Sequence, residues 1–421
     1  MSDYTARRVR FDNGERTSIL LRAETGQPVH ESVLFLHAQR VQGKAANTIH
    51  IAAANLAFLH RELDRLSISL EERLSQGKVL SAPEVLRLVD KARYRVSDFY
   101  DEQVQDGPAR NIVSIERLRM RRQGRPTLKP VDPGPHASRL RTFVNYFEFR
   151  ANYADANTNV GLVKQLRSEI KQLADVLRAH IPNIPRRAKL GARIGLSMEE
   201  QNRLLGVVQI DSPANPWKRP YVRVRNWLII VVLLASGMRS GELLGLQIGD
   251  LNATLPKLQI KRRADAASDP RRVQPNTKTY DREIELNPSI IKKIWEYING
   301  ERRAIKEARR YPQIFVADDG QPLSLKSIEK MFAQFRKACP GLPLVLTSHV
   351  MRHSWNERFS EEAEAMNMSE QREERARSEQ MGWSDRSKMA QTYTRRYTQR
   401  KGRAVRLRIQ NQLQEKLNGS N

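Results

Sequence analysis

The sequence predicts a mainly α chain with a small β-sheet, an α+β fold. Three observations carry that prediction. Apolar residues recur at helical spacing over long stretches, as in "HESVLFLHAQRVQGKAANTIHIAAANLAFLHRELDRL" (30–66), where Leu56, Phe58 and Leu59 belong to one apolar stripe. Two Ser-x-x-Glu capping boxes, Ser81 with Glu84 and Ser197 with Glu200, mark helix starts. Strand-like runs are short and few: "KLQIKRR" (257–263) and "REIEL" (282–286) form a pair, with the turn chemistry of "SDP" and "PNTKTYD" between them.

In chain order, residues 1–29 hold an N-terminal arm with a short hairpin, "RRVRF" and "RTSILLR" around the turn "DNG". Residues 30–181 read as a helical domain, with a break at Gly43 and a helix over 81–100. A basic, Pro/Gly-rich stretch interrupts it at 117–141 and carries Arg117, Arg119, Arg121, Arg122, Arg125, Lys129, Arg139 and Arg141. "RTFVNYFEFRANYA" (141–154) then resumes as an aromatic core helix. Residues 182–195, "PNIPRRAKLGARIG", are rich in Pro, Gly and basic residues, including Arg186 and Arg187, and free of acid, so they read as the linker. Residues 196–421 form a second domain ending in a basic amphipathic helix. Within it, "YVRVRNWLIIVVLLASG" (221–237) is a buried helix stopped by Gly237.

With 421 residues, two or three domains are expected. The balance of 73 basic against 47 acidic residues, net +26, runs through most of the chain. It points to a polyanion partner, nucleic acid before anionic membrane. The longest apolar run, 227–238, is too short to span a bilayer, and the N-terminus lacks an apolar signal region. The single cysteine, Cys339, excludes internal disulfides and fits a reducing cytoplasm.

The chemistry-bearing residues lie in the second domain. "LTSHVMRHSW" (346–355) places His349, Arg352, His353 and Asn356 inside an arc of about 100° on a helix, while Met351, Trp355 and Phe359 form a separate core arc. A guanidinium among N–H donors suits a phosphate oxyanion; a salt-bridged surface with incidental histidines is the alternative. Arg239 follows the Gly237 stop, and Glu242, three residues on, can orient it. Lys278 is expected near a hairpin tip, where a solvated charge is the ordinary case. Trp383 and Tyr393 follow in "QMGWSDRSKMAQTYTRRY" (380–397).

Taken together, these segments resemble the tyrosine recombinases: phage integrases, Xer-type recombinases and mobile-element integrases. "LLASGMRSGELLGLQIGDL" is similar to the family's first arginine box (Arg239, with Glu242 as acidic companion), and "NTKTYDREIEL" to its β-hairpin lysine box (Lys278). "SHVMRH" fits His-x-x-Arg-His, giving His349, Arg352 and His353; "MGWSD" fits the box that usually begins Leu-Gly-His, with Trp383 in place of that histidine; "TYTRRY" supplies the tyrosine. The likeness covers about 197–398; residues 30–155 resemble the family's helical core-binding domain only loosely. Tyr393 lies ten positions beyond Trp383 where many members have nine, and Tyr397 competes for its role.

The resemblance implies a helical core-binding domain plus a catalytic domain that cleaves DNA through a 3′-phosphotyrosine. Arg239 and Arg352 would clamp the non-bridging oxygens, with His349 and Trp383 adding donors. Tyr393 would attack, His349 would accept its proton and Lys278 would protonate the leaving 5′-oxygen. His353 and Glu242 would support from behind. No metal, ATP or other cofactor is expected. The partners expected are double-stranded DNA with specific attachment sites, reached by steeply salt-dependent binding, and further copies of the chain as a tetramer on two duplexes, with sister recombinases possible. Arg117–Arg141 and the linker would track phosphates. The tail (399–417) would dock on a neighbour or on its own domain. The implied setting is the cytoplasm, at the nucleoid, of a prokaryote or phage. A type IB topoisomerase-like relaxing enzyme and a non-catalytic DNA-binding relative are the alternatives.

Overall fold

The computed structural model describes residues 4–96, 128–153, 160–183, 195–252, 254–343 and 346–418. The chain divides into two units, Met1–Arg186 and Arg187–Asn421, each with its own apolar core. The division falls inside 182–195, of which 184–194 lie outside the described residues.

The first unit opens with the antiparallel hairpin β1 (Tyr4–Arg10) and β2 (Arg16–Arg22), in register from Tyr4 opposite Arg22 to Arg10 opposite Arg16. Its turn closes with Phe11 N–H donating to the Glu15 carbonyl at 2.8 Å, and Gly14 takes a φ of 90° that a side chain would strain. Helices α1 (His30–Val41), α2 (Ala46–Arg65), α3 (Leu70–Ser75), α4 (Ala82–Ala92), α5 (Pro133–Tyr153) and α6 (Val160–Ala179) follow. Leu56, Phe58 and Leu59 of α2 are buried against Phe143, Tyr146 and Phe147 of α5, with the Phe58 and Phe143 rings stacked.

Helix α4 stops at Ala92, short of the expected residue 100. The chain there turns to pair with 129–131: Arg95 N–H donates to the Lys129 carbonyl and Val131 N–H to the Arg93 carbonyl. Arg139 fixes that exit. Its Nη1 donates to the carbonyls of Ala92 (2.9 Å) and Tyr94 (2.6 Å), and its guanidinium lies over the Phe58 ring.

In the second unit, α7 (Met198–Val208) starts at the expected Ser197–Glu200 capping box. Helix α8 (Pro220–Ser236) buries Leu228, Ile229, Ile230, Val232 and Leu233 and ends at Gly237, whose φ is 61°. After the short helix α9 (Ser240–Gly245) come β3 (Lys257–Ile260) and β4 (Arg282–Glu285), paired from Lys257 opposite Glu285 to Ile260 opposite Arg282. Helices α10 (Pro288–Tyr297), α11 (Leu325–Ala338), α12 (Ser348–Ala365), α13 (Glu370–Met381) and α14 (Met389–Asn418) complete the unit.

The strands are shorter than expected, and this corrects the position of Lys278. Residues 261–281 leave the ladder because side chains bind them elsewhere. Arg263 pairs with the fully buried Asp250, and Arg271 pairs with Asp269 while donating to the carbonyls of Leu244 and Leu323. Lys278 therefore stands four residues before β4, on an anchored connection, and not at a hairpin tip. Among the described residues no helix is long and apolar enough to cross a membrane.

Candidate active site

The site starts at the left-handed Gly237. A Cβ there would lie 2.7 Å from the Trp355 ring, so the end of α8 and helix α12 approach closer than any other residue allows. Trp355 Nε1 donates to the Ala235 carbonyl at 3.0 Å, and Arg352 Nη1 donates to the Gly237 carbonyl at 2.7 Å. The first arginine box and the His-x-x-Arg-His helix, 115 positions apart, are thereby locked together.

Arg239 emerges immediately after this junction and begins α9. Its backbone N–H and Nη1 both donate to the Glu242 carboxylate at 3.1 Å. Glu242 has a fully buried side chain and also accepts from Arg282 Nη2 and Thr279 Oγ1, each at 2.9 Å. Burial pushes its carboxyl up, but Arg282 first, then Arg352 and the Arg239 N–H, hold it below the usual carboxylate range. So the acidic companion does more than orient Arg239: it pins the segment before β4 to the arginine box.

The same segment seats Trp383. Tyr280 N–H donates to the Gly382 carbonyl at 2.9 Å, and Arg282 Nε donates to the Gln380 carbonyl at 2.8 Å. Gly382 ends α13 at φ 62°, where a Cβ would meet Arg282 and the Tyr280 carbonyl at 2.9 Å. Trp383 then lies under the Arg352 guanidinium, 5.3 Å from its ring centroid, and stacks on Tyr393 at 5.8 Å and 5°.

Tyr393 is 4% exposed on α14. Its hydroxyl is hydrogen-bonded to His353 Nδ1 at 3.0 Å. Burial raises the phenol above its usual range, against the opposing pull of Arg352, Arg396, Arg239 and Arg377. Arg352 is 2% exposed; burial, then the like charge of Arg239, draws its guanidinium down to about 10. Two buried donors here, Arg352 Nη2 and Trp383 Nε1, have no hydrogen-bond acceptor among the described residues. A buried donor left unpaired costs about 1–3 kcal/mol. Both belong to the group of side chains that surrounds the Tyr393 phenol.

Two features of α12 differ from what its spacing suggests. His353 Nδ1 is hydrogen-bonded to the tyrosine hydroxyl, and His349 is exposed and stands edge-on to His353 at 4.5 Å. The polar arc of α12 is also the more deeply buried one. Arg352 and Asn356 are enclosed, whereas of the expected core arc Met351 is fully buried and Trp355 and Phe359 are half-buried. Tyr397 lies one turn beyond Tyr393; its hydroxyl donates to Glu364 at 2.5 Å, and Arg400 lies over its ring at 5.2 Å. Lys278 is exposed, between the buried Thr277 and Thr279.

The acidic stretch between Arg352 and Trp383 seats against basic groups. Glu357 and Glu361 pair with Arg400, Glu364 pairs with Lys401, and the buried Glu373 pairs with Arg377. The first part of the tail thus lies on its own unit, while Val405, Leu407, Ile409 and Leu413 beyond it are exposed. Arg282, Thr279 and Arg377 were not legible as site residues, since their partners lie 37, 40 and more positions away or in a helix that reads as solvated.

Of the residues expected to track DNA, Arg117, Arg119, Arg121, Arg122, Arg125, Arg186 and Arg187 lie outside the described residues. Lys129 and Arg141 are exposed in the first unit. The Arg139 guanidinium is engaged with two backbone carbonyls and an aromatic ring, which gives it a structural task.

Residues 218–400 match the family model described as the phage integrase family. The tyrosine recombinase XerD of Halalkalibacterium halodurans is 24% identical over 190 residues, which is 45% of this chain and 54% of that protein. The chain thus matches about half the length of this curated relative. Among solved structures, the XerH site-specific recombinase bound to difH substrate is 18% identical, covering 89% of this chain and 94% of that one, with a TM-score of 0.44. The Tn1549 transposon integrase in complex with a circular intermediate DNA is 17% identical, covering 71% and 95%, with a TM-score of 0.38.

Proposed function

We propose that the chain, whose residues 218–400 match the phage integrase family model, is a site-specific DNA recombinase of a mobile element that works through a 3′-phosphotyrosine. The observation that carries this is the pair of buried, unpaired donors, Arg352 Nη2 and Trp383 Nε1, beside an enclosed tyrosine. Cations and N–H groups held ready with no protein acceptor suit an oxyanion whose charge grows in the transition state.

In the proposed reaction, the Tyr393 oxygen attacks the phosphorus of a DNA phosphodiester. The bond from phosphorus to the 5′-oxygen breaks, and the 3′-phosphate stays on the tyrosine. Arg239, Arg352 and Trp383 take the non-bridging oxygens. His353, at 3.0 Å from the hydroxyl, receives the phenol proton. Lys278, on the connection that Thr279 ties to Glu242, protonates the leaving 5′-oxygen. His349, exposed beside His353, reaches the phosphate or its flank from the open side. A 5′-hydroxyl from a second duplex reverses the step, which makes four protomers on two duplexes the working assembly.

The test uses nicked duplexes of randomised sequence, from which covalent adducts are captured and sequenced. Wild type and Tyr397→Phe should yield adducts sharing one sequence, and Tyr393→Phe none. Adduct that survives in Tyr393→Phe and disappears in Tyr397→Phe would move the nucleophile. Absence of adduct from every form would favour the non-catalytic DNA-binding relative. Relaxation of plasmids lacking the recovered sequence would favour the topoisomerase-like reading.

A further inference from the structure

Helix α13 is rich in charges of both signs, and its Arg377 is among the most enclosed of the described residues, at 0% exposure. Nη1 donates to the Asn356 carbonyl at 2.8 Å. Nη2 donates to Ser360 Oγ at 2.5 Å and to the Glu373 carboxylate, and Ser360 Oγ donates to the same carboxylate at 2.6 Å. The guanidinium also lies over two rings, Phe359 at 5.0 Å and Tyr393 at 5.8 Å. The Asn356 side chain in turn donates to the Arg352 backbone carbonyl, one helical turn earlier, at 2.8 Å.

A buried ion pair is an inefficient way to fill a core, because desolvation offsets most of the attraction and apolar residues of equal volume serve as well. Stability alone therefore gives little reason for a charge at this place. Its location does give one. Tyr393 is faced by His353 and Arg352 from α12, by Arg377 from α13, by Arg396 from its own helix, by Arg239 from the start of α9 and by the Trp383 ring. Arg377, paired with Glu373 on its own helix, reaches across to Asn356 and Ser360 on α12 and so ties α13 to α12 beside the Tyr393 ring.

We infer that Arg377 is a positioning residue for the nucleophile: clamped by Asn356, Ser360 and Glu373, it holds the Tyr393 ring against Trp383 and beside the Arg352 cluster. The inference rests on the reading in which Tyr393 attacks a phosphodiester. Rigid placement of a nucleophile within a fraction of an ångström is the kind of contribution that appears in the chemical step and not in binding.

The experiment compares wild type, Arg377→Lys and the double variant Glu373→Gln/Arg377→Met on the nicked duplex recovered from the randomised pool, with Tyr393→Phe as control. The double variant removes both charges together and leaves no buried ion unpaired. Its duplex affinity should equal that of wild type, while single-turnover adduct formation at saturating duplex falls at least tenfold. Arg377→Lys, which keeps the charge but not the fork, should fall between the two. Wild-type rates in the double variant would overturn the inference while leaving the phosphotyrosine reading intact. If the double variant does not fold, Arg377→Lys decides alone: a lowered rate with unchanged affinity supports the clamp, and a wild-type rate overturns it. Absence of adduct from wild type itself would strike the underlying reading.

Discussion

Replacing Arg352 by alanine should lower adduct formation at saturating duplex by about 10²–10³-fold or more, the usual consequence of losing one preorganised donor at a developing oxyanion. The side chain has two tasks. Nη1 holds the Gly237 carbonyl, and Nη2 is the buried donor without a protein acceptor. Alanine therefore also leaves a carbonyl unsatisfied at the α8–α12 junction, at a cost of about 1–3 kcal/mol. Arg352→Lys should not restore the rate, because a single ammonium cannot hold Gly237 and an oxyanion in fixed directions at once. A single-turnover time course with a parallel measurement of duplex affinity reads both effects. A rate within threefold of wild type in Arg352→Ala would mean that this donor is not aimed at the reacting phosphate.

The second large effect is on stability. Glu242→Ala should destabilise the second unit by about 3–5 kcal/mol, the range for breaking a buried pair and leaving its partners uncompensated. Four donors converge on that carboxylate, two from Arg239 and one each from Arg282 and Thr279, and the Arg282 side chain is 7% exposed. The pH dependence has a definite sign. The folded carboxyl titrates below its usual range, so its contribution is fully present above the ordinary carboxylate value of 4.5 and is lost as pH falls through the lower folded value. Urea unfolding of wild type should show this acid-side loss, and Glu242→Gln should lack that part of it. Equal midpoints for wild type and Glu242→Ala at neutral pH would contradict the role assigned here.

Short-range relations in this chain are readable, and long-range ones decide the details. Gly237, Arg239 and Glu242 lie within six positions, so a helix stop, an arginine and its acidic companion can be inferred from spacing alone. His349 and His353 share one helical arc, and spacing cannot say which faces Tyr393. That depends on how α14 seats, and its seat is set by Arg400 and Lys401 on the acidic end of α12. Tyr393 and Tyr397 lie one turn apart, and Glu364 is what draws the second away. The place of Lys278 is not readable from the turn signals between the two strands, because ion pairs to Asp250 and Asp269 take the chain out of the ladder. Arg377 sits in a helix whose composition reads as solvated, and only its packing against α12 and α14 reveals it. The charge of its sequence neighbours groups Arg139 with a basic stretch, whereas its own surroundings are two carbonyls and a ring.

The central claim, that one enclosed phenol takes up the DNA phosphate, can be read directly from the covalent adduct. Trypsin cuts after Lys388, Arg395, Arg396 and Arg400, so Tyr393 leaves in the peptide Met389–Arg395 and Tyr397 in the peptide Tyr397–Arg400. After nuclease trimming of the captured DNA, mass spectrometry should find the nucleotide remnant on Met389–Arg395 alone. A remnant on Tyr397–Arg400, or on a peptide without tyrosine, would contradict the account.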